Sequence, residues 1–177
     1  MNKNLLILGA GQYGVVVKEI AKSMGYFKKV DFLDDTFGMG ETEGNYHEQS
    51  IGKLSDYKKF ITDYSYAIVA IGDAKVRKEW TEKLIKACYK VPAIVSPKAF
   101  VGITAQIRYG VVVEPMAVVH ENVSIGIGTF ISAGAVVNHN SSVEDYSHID
   151  NNAVVMCGAV VPSFTYVEPL EMIRKTI

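Results

Sequence analysis

The sequence predicts an α/β region followed by an all-β one: a small parallel sheet over residues 1–92, then a solenoid of six-residue repeats over residues 93–177. Three observations predict this. From Ala93 onward a β-branched aliphatic recurs at every sixth position without a slip. Before Ala93 the chain alternates short apolar runs with helical stretches. A glycine-rich turn, Gly9-Ala10-Gly11-Gln12-Tyr13-Gly14, joins the first apolar run to the first helical stretch.

The repeat is the strongest signal. Cut into sixes from Ala93, the third positions read Val95, Val101, Ile107, Val113, Val119, Ile125, Ile131, Val137, Val143, Ile149, Val155, Val161, Val167 and Ile173. The first position is Ala, Val, Thr or Ser in every hexad except the last, which begins with Glu171. Each hexad reads as a short strand and a turn, its aliphatic pointing inward to stack on the equivalents in neighbouring coils. The small residue two positions earlier lets the wall bend around that stack. One coil cannot bury its own core, so stability comes from stacking. Ordinary antiparallel strands would not hold a six-residue period over so many units without an insertion.

In the first region Leu5–Leu8 reads as a buried strand, and a helix runs from the glycine turn to about Met24, with Gly25 as its stop. Val30–Leu33 is a second strand, ending in Asp34-Asp35. Lys53–Ile61 is predicted as a short helix, Tyr66–Ile71 as a third strand ending at Gly72-Asp73, Ala74–Tyr89 as a helix, and Val91–Val95 as the lead into the repeat. This is a Rossmann-like order. Glycines between strand and helix let the backbone turn tightly and approach a pyrophosphate, and the helix N-terminus presents N–H groups to it. Asp34, twenty residues beyond Gly14, stands where a ribose would be met. A bare tight turn is the plain structural alternative. Some ninety residues hold only one mononucleotide-binding half, and no domain with hydride chemistry follows, so a nucleotide-sugar is favoured over NAD.

Composition narrows the function classes. A formal net charge of −1 advertises neither nucleic acid nor an anionic membrane. Two cysteines, Cys88 and Cys157, offer no disulfide framework and no metal-ligand spacing, which suits a reducing cytoplasm. The apolar start breaks at Gly9, too early for a signal peptide, and no later run is long enough to span a bilayer. A soluble, cytoplasmic protein is expected.

Segments 9–14 (GAGQYG), 21–26 (AKSMGY), 32–35 (FLDD) and 70–78 (AIGDAKVRK), the first hexads, 136–140 (VVNHN) and 147–149 (SHI) occur here in one order. In that order and spacing the chain resembles the bacterial nucleotide-sugar acetyltransferases, which include the UDP-4-amino-sugar N-acetyltransferases and the sialic-acid O-acetyltransferase group. The resemblance implies a left-handed β-helix with three hexads per coil, a homotrimer with active sites between subunits, acetyl-CoA as co-substrate and no metal. It implies that Gly11, Gln12 and Tyr13 meet the diphosphate and that Asp34, Asp35 and Gly72 meet the base and ribose. His139 is implied as the general base, and His148 and Cys157 as acetyl-CoA contacts. An amine or hydroxyl attacking a thioester must lose a proton, which an imidazole can take near neutral pH. Arg77 and Lys78 are expected to be surface charges, and His47 and His120 to have no role.

Two departures from the family follow. Asn140 stands where the family often has an acidic residue that orients the base. Only 29 residues follow His148, so the resemblance implies a β-helix shortened by roughly two coils, with less wall for pantetheine and adenine. The function expected is acetyl transfer to an amino or hydroxyl group of a nucleotide-linked sugar. The alternative is a nucleotide-sugar-binding trimer that has lost transfer with those coils. A γ-class carbonic anhydrase is rejected, because it needs two histidines five residues apart, whereas His120, His139 and His148 are spaced 19 and 9.

Overall fold

The computed structural model describes residues 2–38 and 49–175. The chain divides into two compact units, Met1–Pro92 and Ala93–Ile177. His47 lies outside the described residues.

In the first unit strand β1 (Asn4–Leu8) lies between β2 (Lys29–Leu33) and β3 (Tyr66–Val69), both parallel to it. Leu5, Leu6, Ile7 and Leu8 are all fully buried, as an unbroken apolar run in a strand covered on both faces requires. Helix α1 (Gln12–Ser23) buries Gly14, Val17, Ile20 and Ala21, one stripe at helical spacing. It stops as the sequence predicts, with Gly25 in the left-handed region at φ 64°.

Elsewhere the predicted boundaries move. The Lys53–Ile61 segment forms a 3₁₀ helix over Leu54–Phe60. β3 ends at Val69, and the carbonyls of Ile71 and Gly72 bond to a side chain instead of a neighbouring strand. Helix α2 runs over Ala74–Lys86, capped by Asp73, whose Oδ1 accepts from the Val76 N–H at 2.9 Å. It stops short of Tyr89 because Cys88 takes a positive φ of 66°.

The second unit is a parallel β-helix of two-residue strands, stacked at an 18-residue repeat. Its first face carries Ile94–Val95, Val112–Val113, Phe130–Ile131, His148–Ile149 and Tyr166–Val167. The second carries Phe100–Val101, Val118–Val119, Val136–Val137, Val154–Val155 and Met172–Ile173. The third carries Gln106–Ile107, Ser124–Ile125, Ser142–Val143 and Val160–Val161. The third-position aliphatics from Val113 to Val167 are at most 1% exposed and form a single core column, closed by small first-position residues such as Ala117, Ala135 and Ala153.

Each coil turns at the fifth and sixth positions. From Gly110 to Leu170 every sixth-position residue has positive φ, including Met116 at 65°, Tyr146 at 58° and Phe164 at 62°. Glycine and asparagine suit that region; the larger residues are held there by the ladder, as where the Tyr146 N–H donates to Ile127 O at 2.7 Å.

Candidate functional site

The first unit gathers its predicted residues on one rim, the carboxyl ends of its three strands. With strand order β2-β1-β3 the crevice lies between the ends of β1 and β3, where open α/β sheets bind ligands. Gly9 has φ 106°, and its N–H donates to Leu33 O at 2.9 Å. A Cβ on Gly14 would lie 2.1 Å from Gly9 O, so only glycine lets the start of α1 seat on the turn. Gly11 caps α1 through its backbone alone, with no side-chain cap hydrogen bond, and Gln12 and Tyr13 form the first turn. That leaves early N–H groups directed at the rim.

The two aspartates are less free than the sequence suggests. Asp34 Oδ2 accepts from the Ala10 N–H at 2.8 Å, and Oδ1 accepts from the Thr36 N–H at 2.9 Å and the Thr36 hydroxyl at 2.7 Å. Asp34 therefore ties the glycine turn to the end of β2. Asp35 Oδ1 accepts from the Leu54 N–H at 3.1 Å and anchors the 3₁₀ helix. Gly72 differs from both. Its φ is not positive, and a Cβ there would meet nothing within 4 Å, so neither backbone nor packing requires glycine.

Arg77 corrects an expectation. It is 1% exposed rather than a surface charge, and its Nη1 donates to Ile71 O at 2.9 Å and Gly72 O at 2.7 Å. A buried guanidinium must satisfy its donors, and the carbonyls of this turn satisfy part of the fork. The arginine thus fixes the loop that carries Gly72. Lys78 is exposed, 3.9 Å from Glu82.

In the second unit His139 is exposed at the turn between the second and third faces. The turns stack at one corner: the Asn140 N–H donates to Glu121 O at 3.2 Å, and the Gly158 N–H to His139 O at 3.3 Å. Glu121, His139 and the exposed Cys157 therefore occupy equivalent positions on successive coils. Asn140 Nδ2 lies 2.9 Å from His139 Nδ1, and Asn140 Oδ1 accepts from Asn122 Nδ2 at 3.2 Å. An amide presents an oxygen and a nitrogen of nearly the same shape, so Asn140 serves either imidazole tautomer by turning over. With its oxygen on Nδ1–H, Nε2 is the basic atom; a carboxylate would hold that tautomer alone.

His148 stands on the first face, across the prism from the His139 corner, so one chain brings His139 to Cys157 but not to His148. It is half-buried between Phe130 and Tyr166 of the adjoining coils, with ring centroids 5.8 and 5.2 Å away. Its Nε2 is 2.8 Å from Ser132 Oγ and 3.9 Å from Asp150 Oδ1. The Tyr166 hydroxyl donates to Asp150 Oδ2. Burial pushes the Asp150 carboxyl up, but hydrogen bonds from Tyr166, the Asn151 backbone and Ser132, with the charge of His148, outweigh it and hold the carboxyl below its usual value. The bond to Asp150, with some burial and nearby negative charge, pushes the Tyr166 phenol up to about 12. Sequence reasoning missed Ser132, Asp150 and Tyr166. The signal that could have found them is the coil length, since Ser132 is 18 residues before Asp150 and Tyr166 is 18 after His148. His120 stands apart from this group, following the second-face strand Val118–Val119, with its ring edge-on to Phe100 at 6.3 Å. Among the described residues no group of three or more His, Cys, Asp or Glu is placed to hold a metal ion. None of their helices is long and apolar enough to cross a membrane.

Comparison with known proteins fits both units. Residues 4–84 match the PglD N-terminal domain. Over 110 residues, 62% of this chain, the sequence is 28% identical to the UDP-N-acetylbacillosamine N-acetyltransferase of Bacillus subtilis (strain 168), and the match spans 50% of that relative. The acetyltransferase domain of PglB from Neisseria gonorrhoeae FA1090 superposes with a TM-score of 0.77 at 27% identity, covering 95% of this chain and 86% of that one. PerB from Caulobacter crescentus, solved with CoA and GDP-perosamine, shares the fold at a TM-score of 0.80 and 18% identity, covering 98% and 90%. The solenoid is thus the left-handed β-helix of the acetyltransferase fold. In both units the chain is thus similar to the hexapeptide-repeat nucleotide-sugar acetyltransferases.

Proposed function

We propose that this chain transfers an acetyl group from acetyl-CoA to an amino (or hydroxyl) group of a nucleotide-linked sugar. The observation that carries this reading is the joining, in one chain, of a PglD N-terminal domain to a β-helix with an exposed turn histidine whose Nδ1 is met by an adjacent side chain. The name of the Bacillus relative and the ligands of PerB support the same chemistry.

The glycine turn and the first turn of α1, at Gly11, Gln12 and Tyr13, take the diphosphate. Gly72 leaves room for the base and ribose, Arg77 holds its loop, and Asp34 and Asp35 act chiefly by fixing the rim. At the β-helix, His139 takes the proton from the attacking nitrogen as the N–C bond forms at the thioester carbonyl. It returns that proton to the sulfur as the C–S bond breaks. His148 and Cys157 contact acetyl-CoA.

Because His139 and His148 lie on opposite sides of one coil, a site using both needs a second copy. The second face is outwardly apolar, with Phe100 53% and Met172 46% exposed at either end of Val118, Val136 and Val154. A cyclic homotrimer would cover that face and join the histidines of neighbouring chains. The cytoplasm, where acetyl-CoA and nucleotide sugars are made, is the compartment this reading implies.

The test is incubation with acetyl-CoA and a panel of UDP-, GDP- and dTDP-linked amino sugars, read by mass spectrometry of the sugar nucleotide. One acetylated product with free CoA is expected, from a species sedimenting as three 19.4 kDa chains. Binding of a sugar nucleotide with no transfer from acetyl-CoA would replace this reading with a binding protein.

A further inference from the structure

We propose that Asn122 is a positioning residue for His139, acting through Asn140: it orients the Asn140 amide and thereby selects the ring nitrogen that carries the imidazole proton. The consequence for catalysis rests on the acetyl-transfer reading above. Asn122 and Asn140 close hexads one coil apart, 18 residues in sequence, and both turn the chain in the left-handed region, at φ 57° and 59°. Each backbone is tied to the preceding coil: the Asn122 N–H donates to Thr104 Oγ1 at 2.9 Å and the Asn140 N–H to Glu121 O at 3.2 Å. The side chains then meet in series, Asn122 Nδ2 donating to Asn140 Oδ1 at 3.2 Å and Asn140 Nδ2 lying 2.9 Å from His139 Nδ1.

A side-chain amide accepts at one end and donates at the other, so two amides in series have a direction. With the Asn140 oxygen taken by Asn122, its nitrogen faces the ring, His139 Nδ1 accepts, and the neutral imidazole keeps its proton on Nε2. The opposite tautomer leaves Nε2 free to take the proton of an attacking amine, and it requires Asn140 to present its oxygen to Nδ1–H. That turn alone would set the Asn140 nitrogen against the Asn122 nitrogen, two donors, so Asn122 must turn over with it. The two amides therefore switch as a unit, and the structure holds them in the first orientation. His139 becomes a base at Nε2 once its own proton has exchanged through water to Nδ1 and both amides have turned.

Asn122→Gly and Asn122→Asp are the variants, because both residue types tolerate positive φ and the melting temperature should stay near wild type. Glycine removes the partner of Asn140. A carboxylate only accepts, so Asn122→Asp draws the Asn140 nitrogen to itself and turns the Asn140 oxygen onto the ring. Nitrogen-15 NMR of the unliganded protein, at a pH where the ring is neutral, reads the tautomer directly. His139 is expected as Nε2–H in wild type, as a mixture in Asn122→Gly and mainly as Nδ1–H in Asn122→Asp. Because that spectrum needs no turnover, it tests the relay even if the wild type acetylates nothing. In an active enzyme Asn122→Asp is expected to raise kcat roughly fivefold, the effect of one hydrogen bond, with sugar-nucleotide affinity unchanged. Three results overturn the proposal: Nδ1–H already in wild type, an Asn122→Asp spectrum not moved toward Nδ1–H, or an active Asn122→Asp enzyme no faster than wild type.

Discussion

The two units use their side chains in opposite ways. In the β-helix the fold consumes the first and third positions of each hexad as core and the sixth as a left-handed turn. Positions two, four and five on the outer wall remain available, and His148, Asp150, His139 and Cys157 all occupy them. In the sheet unit the rim residues build the loops: Asp34 and Asp35, both expected to meet the ligand, tie the glycine turn to β2 and anchor the 3₁₀ helix, and Arg77 clasps the Gly72 loop. A repeating fold separates structure from chemistry by position, whereas a single-copy loop must combine them. Mutations should therefore split cleanly in one unit and not in the other.

The largest effect expected lies at a core position of the repeat. Val137→Asp places an unpaired charge in a fully buried aliphatic column and should abolish cooperative melting and assembly, read by circular dichroism and gel filtration. A near-wild-type melt would show that the inward register is wrong. In the sheet unit Asp34→Ala should mix the two kinds of effect. It strands the buried Ala10 N–H and frees Thr36, lowering stability by about 1–3 kcal/mol along with sugar-nucleotide affinity. Chemical denaturation and calorimetry on the same variant check this, and lost affinity with intact stability would return Asp34 to the role of a plain ligand.

Gly72 is the exception that sharpens the contrast, since the protein itself does not require a glycine there. Gly72→Val should leave the melt unchanged yet weaken sugar-nucleotide binding about tenfold or more, a penalty of ~1.4 kcal/mol for a filled approach. Equal affinities would remove that loop from the site. The smallest effect is a gain. Asn140→Asp keeps a residue type that tolerates the local φ of 59° and replaces a two-way amide with a carboxylate on Nδ1–H. A charge-assisted bond stronger by about 1 kcal/mol should raise kcat roughly fivefold. A decrease would mean that the amide orientation is already the productive one.

The same division explains what could be read from the sequence. The third-position aliphatics announce the coil because every repeat states the rule again, and GAGQYG announces the turn because Gly14 has no tolerated substitute. The turn conformation at the sixth position was hidden. Gly110 and Asn122 suggest it, but Met116, Tyr146, Phe164 and Leu170 carry no local preference for positive φ and take it only under the ladder. Arg77 reads as a surface charge in the sequence because the carbonyls that make its burial tolerable belong to a turn that no spacing reveals. His148 meets Ser132 and Tyr166 only when the chain is wound at 18 residues per coil, so their contact is a property of the winding.

The central claim is that an outer-wall histidine of this β-helix performs proton transfer for an acetyltransferase while bearing no structural load. Steady-state thiol release with acetyl-CoA and the sugar nucleotide selected from the panel, comparing wild type with His139→Ala, tests it most directly. The exposed ring predicts an unchanged melt and unchanged sugar-nucleotide affinity, with turnover lower by ~10²–10⁴-fold. Full activity in His139→Ala would contradict the claim.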